Sequence, residues 1–235
     1  MNSHCFYCDI PIREELSWES LFLLVKKELL CKDCRESLTP ISGPLCDICS
    51  RPMSKLKKKF IQGNICLDCV RWERDPDWAG MLDRNVSLYE YNDFFKELLA
   101  RFKYRGDYVL AKAFSAEIKE AAVRMGAGCV VPIPLSEERL DERGFNQAEA
   151  LAREAGLETK QLLTRIHGEK QSKKSRSQRI YLDQVFEMAE PLPEKSPTIL
   201  LIDDIYTTGS TLRHAARVLR EAGAEKVLSF TLARG

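Results

Sequence analysis

The stretch that decides the fold is TILLIDDIYTTGST, residues 198–211. It begins with an apolar run, 199–202, which predicts a strand buried on both faces of a parallel sheet. Two adjacent acids, Asp203 and Asp204, follow at the end of that strand. A turn of small and hydroxyl-bearing residues comes next, and apolar residues spaced three and four apart from Leu212 onward predict an amphipathic helix.

The chemistry of this turn favours a phosphorylated sugar as the ligand. Ligands of parallel sheets bind at the carboxyl ends of the strands, where the acids and the turn are expected. Backbone N–H groups at a helix N-terminus bind phosphate, and small residues let the anion approach. The turn residues are Thr207, Thr208, Gly209, Ser210 and Thr211. The two carboxylates would repel that phosphate, so they suit sugar hydroxyls, or a metal, one group further along.

The stretch resembles the phosphoribosyl-pyrophosphate (PRPP) motif of type I phosphoribosyltransferases. The resemblance implies that Asp203 and Asp204 are the catalytic pair that holds the ribose 2′- and 3′-hydroxyls. It implies that residues 207–211 bind the 5′-phosphate and that Mg²⁺ accompanies the pyrophosphate. Two other nucleotide-binding patterns fit worse, because a Walker loop needs a lysine in the turn and the fingerprint G-x-G-x-x-G is absent.

Composition excludes several classes of protein. Of 235 residues, 44% are hydrophobic, which is enough for a folded core, and 36 Lys and Arg balance 35 Asp and Glu. This balance gives no overall attraction to nucleic acid or to a membrane. The N-terminal sequence is too polar for a signal peptide, and no run is long enough to span a bilayer. We therefore expect a cytoplasmic protein with no membrane partner.

Eight of the nine cysteines form four C-x-x-C pairs in the first third of the chain. Their clustering favours metal over a redox motif, and two sets of four thiolates predict two structural zinc ions with no open coordination position. Sequential pairing would group Cys5, Cys8, Cys31 and Cys34, and then Cys46, Cys49, Cys66 and Cys69; interleaved pairing stays open. His4 is not needed as a ligand. Cys129 lies in an apolar strand and is expected to be an inert core thiol.

These features divide the chain into a zinc-ribbon-like module at 1–75, a linker at 76–85 and a phosphoribosyltransferase-like α/β domain at 86–235. In the α/β domain we expect a parallel sheet with helices on both faces. The predicted strands are 86–91, 129–133, 162–166, 185–188, 199–202 and 227–232. The predicted helices are 93–104, 108–125, 146–155 and one that follows the PRPP motif.

A second anion-binding segment follows the strand at 129–133. By the same resemblance, the loop after Pro132 and Ile133 is expected to grip the pyrophosphate, and its prolines allow for a cis bond. Arg139 and Arg143 precede a glycine and a helix start, so they are candidates for a clamp on the same group. The alternative is that both arginines are exposed charges on a helical segment.

Two basic runs complete the set of candidates. Residues 165–179 hold six Lys and Arg and one acid, in the position of the flexible loop that closes over pyrophosphate in the enzymes. Lys173, Lys174 and Arg176 are candidates for that role, and the same charges would also suit a DNA backbone. The other run, Lys55, Lys57, Lys58 and Lys59, precedes Phe60. It predicts either a contact with single-stranded DNA, with Phe60 stacked on a base, or a solvated hairpin tip. Residues 1–78 are acidic overall once zinc-bound thiolates are counted, which favours the hairpin tip.

Four blocks occur in order along the chain: FKYRGD (102–107), VPIPLSEERLDERGFNQA (131–148), EKQSKKSRSQR (169–179) and the PRPP motif. Together with the cysteine module they resemble the ComF family of bacterial late-competence proteins over nearly the full chain. The resemblance implies a cytoplasmic role in natural transformation after DNA enters the cell, with single-stranded DNA and a competence DNA helicase as partners.

Two functional hypotheses follow from these resemblances. The first is a PRPP-dependent transferase, for which the sequence identifies neither an acceptor substrate nor a general base. The second is a non-catalytic DNA-binding or helicase-partner protein that keeps a ribose-phosphate site. A structural adaptor with a vestigial turn is the alternative to both, and the retention of both acids with the whole turn argues against it.

Overall fold

A computed structural model describes residues 3–12, 28–166, 185–194 and 198–235. In chain order the strands are β1 (Ser3–His4), β2 (Pro11–Ile12), β3 (Ile61–Gln62), β4 (Ile65–Cys66), β5 (Arg84–Glu90), β6 (Cys129–Pro132), β7 (Leu163–Arg165), β8 (Phe186–Met188), β9 (Thr198–Tyr206) and β10 (Lys226–Arg234). The α-helices are α1 (Lys32–Glu36), α2 (Leu67–Arg74), α3 (Asp93–Tyr104), α4 (Ser115–Arg124), α5 (Glu137–Arg143), α6 (Gln147–Glu154) and α7 (Ser210–Glu221).

The centre of the fold is a parallel sheet with the strand order β5-β10-β9-β6. Leu200 on β9 lies opposite Leu228 on β10 and Val130 on β6. Successive side chains of a strand point to opposite faces, so Leu200 packs in one hydrophobic core and its neighbour Leu201 in the other. The uninterrupted apolar run of β9 is required because the sheet is covered on both sides.

Helices lie on both faces of this sheet, which confirms the predicted fold class. Helices α3, α4 and α6 contribute buried residues to the first core, including Phe95, Leu98 and Phe102 of α3. Helix α7 packs on the opposite face through Leu212 and Ala215. The cysteine module also divides between the two cores: Cys5 and Cys34 are buried in the first core, whereas Cys46, Cys49, Cys66 and Cys69 are buried in the second.

The cysteine module is joined to the sheet by backbone hydrogen bonds. The Glu90 N–H of β5 donates to the Thr39 carbonyl at 2.8 Å, and the Ile41 N–H donates to the Leu88 carbonyl at 2.8 Å. These bonds add residues 39–41 to the outer edge of β5. The predicted linker at 76–85 also packs closely, because Leu82 is 1% exposed and the ring centroids of Trp78 and His214 lie 4.5 Å apart.

Three expectations differ from the structure. The predicted helix at 108–125 is a 3₁₀ helix, Tyr108–Phe114, followed by α4; Ala111 and Phe114, three residues apart, are both buried, in keeping with the 3₁₀ period. The predicted strand at 185–188 does not complete the sheet: β8 pairs antiparallel with β7 in a separate hairpin, where Phe186 is fully buried in the second core.

The expectation of a cis proline is also wrong for the described residues, none of which follows a cis peptide bond. Pro132 ends β6, which is an edge strand of the sheet, and a proline is tolerated there without any isomerisation of its peptide. Among the described helices, none is long and apolar enough to cross a membrane.

Candidate ligand-binding site and metal centres

A cavity of about 190 Å³ lies at the carboxyl ends of β6 and β9. It brings together both acids of the PRPP stretch, two residues of the following turn and both candidate clamp arginines. Its lining comprises Lys103, Ile133, Pro134, Leu135, Arg139, Arg143, Asn146, Gln147, Ala148, Arg165, Asp203, Asp204, Ile205, Thr207 and Thr211. Residues that are far apart in the sequence therefore converge at the edge of the sheet where a ligand was expected.

Four other predicted ligand-binding residues are described by the structure but do not line the cavity. Pro132 is buried within β6 and does not line the cavity. Thr208, Gly209 and Ser210 belong to the turn itself, between the two lining threonines. Lys173, Lys174 and Arg176 lie outside the described residues.

The two acids are held in different ways. Asp204, which is 5% exposed, forms an ion pair with Lys103 of α3. Asp203 is partly buried, and its Oδ1 accepts a hydrogen bond from the Asp204 N–H at 2.9 Å. Burial, together with the charge of Asp204, raises the pKa of Asp203 to about 7. Near neutral pH, Asp203 therefore exchanges readily between a carboxylate that accepts hydrogen bonds and an acid that donates one.

Arg139 and Arg143 reach the cavity from α5, a short helix between β6 and α6. The Ser136 side chain caps its first turn, and Gly144 ends it with a left-handed backbone, φ 75°. The Arg143 Nη1 donates to the Gln147 side-chain oxygen at 2.8 Å, which aligns Arg143 against α6. The structure therefore combines the two alternatives of the sequence: the arginines are on a helix, and they also line the cavity.

Two cations of the cavity were missed in the sequence, Lys103 and Arg165. Lys103 lies within the block FKYRGD, and Arg165 begins the basic run at 165–179, so both stood in segments already marked as unusual. Burial, and then the nearby charge of Arg139, lower the pKa of Arg165. Four cations thus face two carboxylates among the described lining residues, which favours an anionic ligand.

The turn at residues 207–211, called the phosphate turn below, requires a glycine at position 209. Gly209 has φ 82°, and a Cβ atom placed there would lie 2.1 Å from the Tyr206 hydroxyl. Helix α7 starts directly after it, and its first N–H, that of Ser210, donates to the Thr208 Oγ1 at 3.3 Å. The N–H groups that follow in the first turn have no partner within the helix, as at any helix N-terminus, and suit an anion.

The phosphate turn is also held through its carbonyl groups, by one residue of the sheet and one of the cysteine module. Arg234, the last residue of β10, donates from Nη1 to the Thr207 carbonyl at 2.9 Å. Trp72 of α2 donates from Nε1 to the Thr208 carbonyl at 3.1 Å. Neither contact was expected from the sequence.

The eight paired cysteines form two clusters in the sequential arrangement. The first tetrad is Cys5, Cys8, Cys31 and Cys34, and the second tetrad is Cys46, Cys49, Cys66 and Cys69. Within each tetrad the sulfur atoms lie within 4.8 Å of one another, and the Cys49 and Cys66 sulfurs are 3.6 Å apart. Tetrahedral zinc with Zn–S bonds of ~2.3 Å separates its sulfurs by ~3.8 Å, so the donor set fits structural zinc. The interleaved pairing is thereby excluded, and His4 stays outside both tetrads.

The ninth cysteine is placed as expected. Cys129 begins β6, is 6% exposed, and belongs to the second core. Burial raises the pKa of its thiol, and a protonated thiol in an apolar environment is a poor nucleophile and metal ligand.

Comparison with known proteins finds two family models that match successive parts of the chain. Residues 2–70 match the model of the double zinc ribbon domain, and residues 140–235 match that of the phosphoribosyl transferase domain. Competence protein ComFC of Bacillus subtilis (strain 168) is 40% identical over 234 residues, covering 98% of this chain and 94% of that protein. Competence protein ComFC of Streptococcus pneumoniae is 34% identical, covering 98% and 99%. Competence protein F of Haemophilus influenzae is 26% identical, covering 90% and 93%.

The tetrads predict the metal content of the protein. Native mass spectrometry should find two zinc ions per chain, and Cys49→Ser should retain one, because the second tetrad loses a thiolate. Cys129→Ala is the matched control, since it removes a buried thiol outside both tetrads and should keep two. One zinc ion in the wild type, or two in Cys49→Ser, would contradict the assignment.

The raised pKa of Asp203 predicts a dependence of stability on pH. An unfolded aspartate titrates near ~4, so the folded state disfavours ionisation, and stability is lost as the pH rises towards 7. Asp203→Asn has no carboxyl group at this position to ionise, so it does not lose stability in this way. Its advantage over the wild type in free energy of unfolding should grow by about 2 kcal/mol between pH 5 and pH 7.

Urea denaturation at the two pH values measures this difference. Asp141→Asn serves as the control, because Asp141 is exposed on α5 and its removal should give no such trend. An advantage of Asp203→Asn that is equal at both pH values would show that the carboxyl is not destabilised by its surroundings.

Proposed function

This chain belongs to the ComFC family of competence proteins, and we propose that it acts in DNA uptake during natural transformation with a site for PRPP or a related ribose phosphate. The protein would do this in the cytoplasm, where PRPP-type ligands are made and where zinc-bound thiols persist in the reduced state. Its zinc sites are structural, because four thiolates leave no coordination position for a substrate.

The observation that carries the proposal is the meeting of two acids, the phosphate turn and a group of cations in one cavity. Asp203 and Asp204 would accept hydrogen bonds from ribose hydroxyls. The N–H groups of the phosphate turn and of the start of α7 would bind the 5′-phosphate. Arg139 and Arg143, which line the same cavity, would bind the pyrophosphate.

The same arrangement supports group transfer. When bound with the pyrophosphate, Mg²⁺ would supply positive charge that stabilises it as a leaving group. Arg139, Arg143 and Arg165 would add to that stabilisation, since all three line the cavity. In such a transfer, ribose C1 would lose its bond to the pyrophosphate oxygen and form one to a nucleophilic atom of an acceptor substrate, with pyrophosphate leaving. Asp203 and Asp204 would favour the positive charge that develops on the ribose. Asp203, with a pKa of about 7, is the described lining residue suited to proton transfer at neutral pH.

Calorimetry with PRPP and Mg²⁺ tests the site. We expect saturable binding by the wild type and a Kd raised about tenfold or more in Asp203→Asn/Asp204→Asn, because charge-assisted hydrogen bonds to the ribose are lost. Asp33→Asn, an exposed aspartate on α1, should bind as the wild type does. The absence of heat at millimolar PRPP would refute the proposed ligand.

A second candidate function, contact with single-stranded DNA, is favoured by an exposed aromatic residue on the cysteine module. Phe60 is 41% exposed, and the Lys59 ammonium lies 5.1 Å from its ring centroid. Lys57 and Lys58 beside it are exposed as well. Lys55 differs from these lysines, because its ammonium group forms an ion pair with Glu90. A base stacked on Phe60 would place its phosphates among these lysines. The DNA helicase expected from the family resemblance stays a prediction.

Fluorescence anisotropy with a short oligothymidine tests this surface. Phe60→Ala should weaken binding about fivefold or more through the loss of stacking, whereas Tyr91→Ala, another exposed aromatic residue, should not. Binding by the wild type should weaken with salt as phosphate contacts are screened. If Phe60→Ala binds as tightly as Tyr91→Ala, this candidate is wrong, and a loss confined to Lys173→Gln/Lys174→Gln would assign DNA to the run at 165–179 instead.

A further inference from the structure

We propose that Arg234 is a positioning residue that makes the phosphate turn dependent on the second zinc tetrad. The inference rests on the proposed function, since it concerns how the turn is held ready for a phosphate. Its consequence is that ligand affinity at the cavity and zinc affinity at Cys46, Cys49, Cys66 and Cys69 rise and fall together.

The buried side chain of Arg234 contacts both the phosphate turn and the second tetrad. Arg234 is 5% exposed, and its Nη1 donates to the Thr207 carbonyl at 2.9 Å and to the Tyr206 carbonyl at 3.3 Å. Its Nη2 contacts the Cys49 sulfur at 3.7 Å. The guanidinium carbon also lies 4.7 Å from the centroid of the Tyr206 ring. Because the guanidinium group is planar and rigid, its two ends cannot move independently.

Helix α2 supplies a second connection between the same two parts. It carries the zinc ligand Cys69, and one turn later Trp72 donates to the Thr208 carbonyl at 3.1 Å. The next residue, Glu73, pairs with the fully buried Arg213 of α7 at 3.0 Å. The helix that holds a zinc ligand therefore also holds the turn and the helix that follows it.

These bonds determine which way the turn presents its N–H groups. In a trans peptide the C=O and the N–H point in opposite directions. Holding the carbonyls of Thr207 and Thr208 towards Arg234 and Trp72 therefore directs the N–H groups of Thr208 and Gly209 away from them. These N–H groups are donors that a phosphate bound at the turn would use. Without the two anchors, the donors would have to be ordered at the cost of binding energy.

The charge of the zinc site explains the dependence on metal. Four thiolates with one Zn²⁺ carry a net charge of about −2, and Arg234 lies against one of these sulfurs. A buried guanidinium group is stable only with such a partner. Loss of zinc removes the ion that holds the four sulfurs together, so Cys49 no longer fixes the position of Arg234. By thermodynamic linkage, a ligand that favours the ordered turn must favour zinc retention to the same degree.

Two arginine variants test the proposal. Arg234→Gln removes the charge and shortens the side chain, while Arg51→Gln is the matched control: Arg51 pairs with Asp68 at 2.6 Å beside the second tetrad and donates no hydrogen bond to the turn. Both variants should keep two zinc ions. The Kd for PRPP with Mg²⁺ should rise about fivefold or more in Arg234→Gln and stay unchanged in Arg51→Gln. Equal affinities in the two variants would overturn the inference and leave the proposed function intact.

Zinc affinity provides the reciprocal measurement. In chelator competition at equilibrium, saturating PRPP should lower the Kd of one of the two zinc ions of the wild type by about fivefold or more. The other zinc ion serves as an internal control, because the first tetrad packs in the core on the opposite face of the sheet. In Arg234→Gln, PRPP should leave both zinc affinities nearly unchanged. A full PRPP effect in Arg234→Gln would overturn the coupling.

Hydrogen exchange tests the positioning without any ligand. Amides in the peptide that spans residues 207–211 should exchange faster in Arg234→Gln than in the wild type or Arg51→Gln. If PRPP does not bind the wild type, the proposed ligand fails, and this measurement still decides the role of Arg234. Unchanged exchange in Arg234→Gln would show that Arg234 does not hold the turn.

Discussion

Two adjacent carboxylates near the end of a largely buried strand are the constraint around which the site is built. Residues 199–202 have no exposed surface, so β9 delivers Asp203 and Asp204 into a region that water reaches poorly. A buried charge is tolerated only with a partner. Lys103 neutralises Asp204, while Asp203 is left with a pKa raised to about 7. The site therefore holds the two acids differently, one paired with a lysine and the other with a raised pKa.

The cysteine module contributes to this site as well as to the fold. The second tetrad is buried in the core that also holds Ile199, Leu201 and Leu212, so the metal centre lies on the same face of the sheet as α7. Arg234 contacts the Cys49 sulfur of this tetrad and also donates a hydrogen bond to the phosphate turn. Under the proposed coupling, a zinc site without an open coordination position would influence a ligand that it never touches, because it would order the backbone next to that ligand.

Local patterns in the sequence predict the parts of this structure, and long-range contacts assemble them. The apolar run at 199–202 predicts the strand, the small residues at 207–211 predict the turn, and the apolar spacing from Leu212 onward predicts the helix. All three elements are found, because each follows from burial and backbone geometry within a few residues. Cysteine spacing predicts zinc, although only the folded chain excludes interleaved pairs. The strand at β8 was expected in the main sheet, since a short apolar strand carries no information about its partner. Lys103 was missed for a similar reason: a lysine on a helix is ordinary until the fold brings it against Asp204. The contact of Arg234 with Cys49 joins residues 185 positions apart, and no local pattern encodes it.

The most direct test of the account is a crystal structure of the protein with PRPP and Mg²⁺ bound. The account predicts the 5′-phosphate on the backbone N–H groups of the phosphate turn, the ribose hydroxyls on Asp203 and Asp204, and the pyrophosphate against Arg139 and Arg143. The carbonyls of Thr207 and Thr208 should keep their bonds to Arg234 and Trp72. A phosphate turn left without ligand, with PRPP bound at another surface, would contradict it.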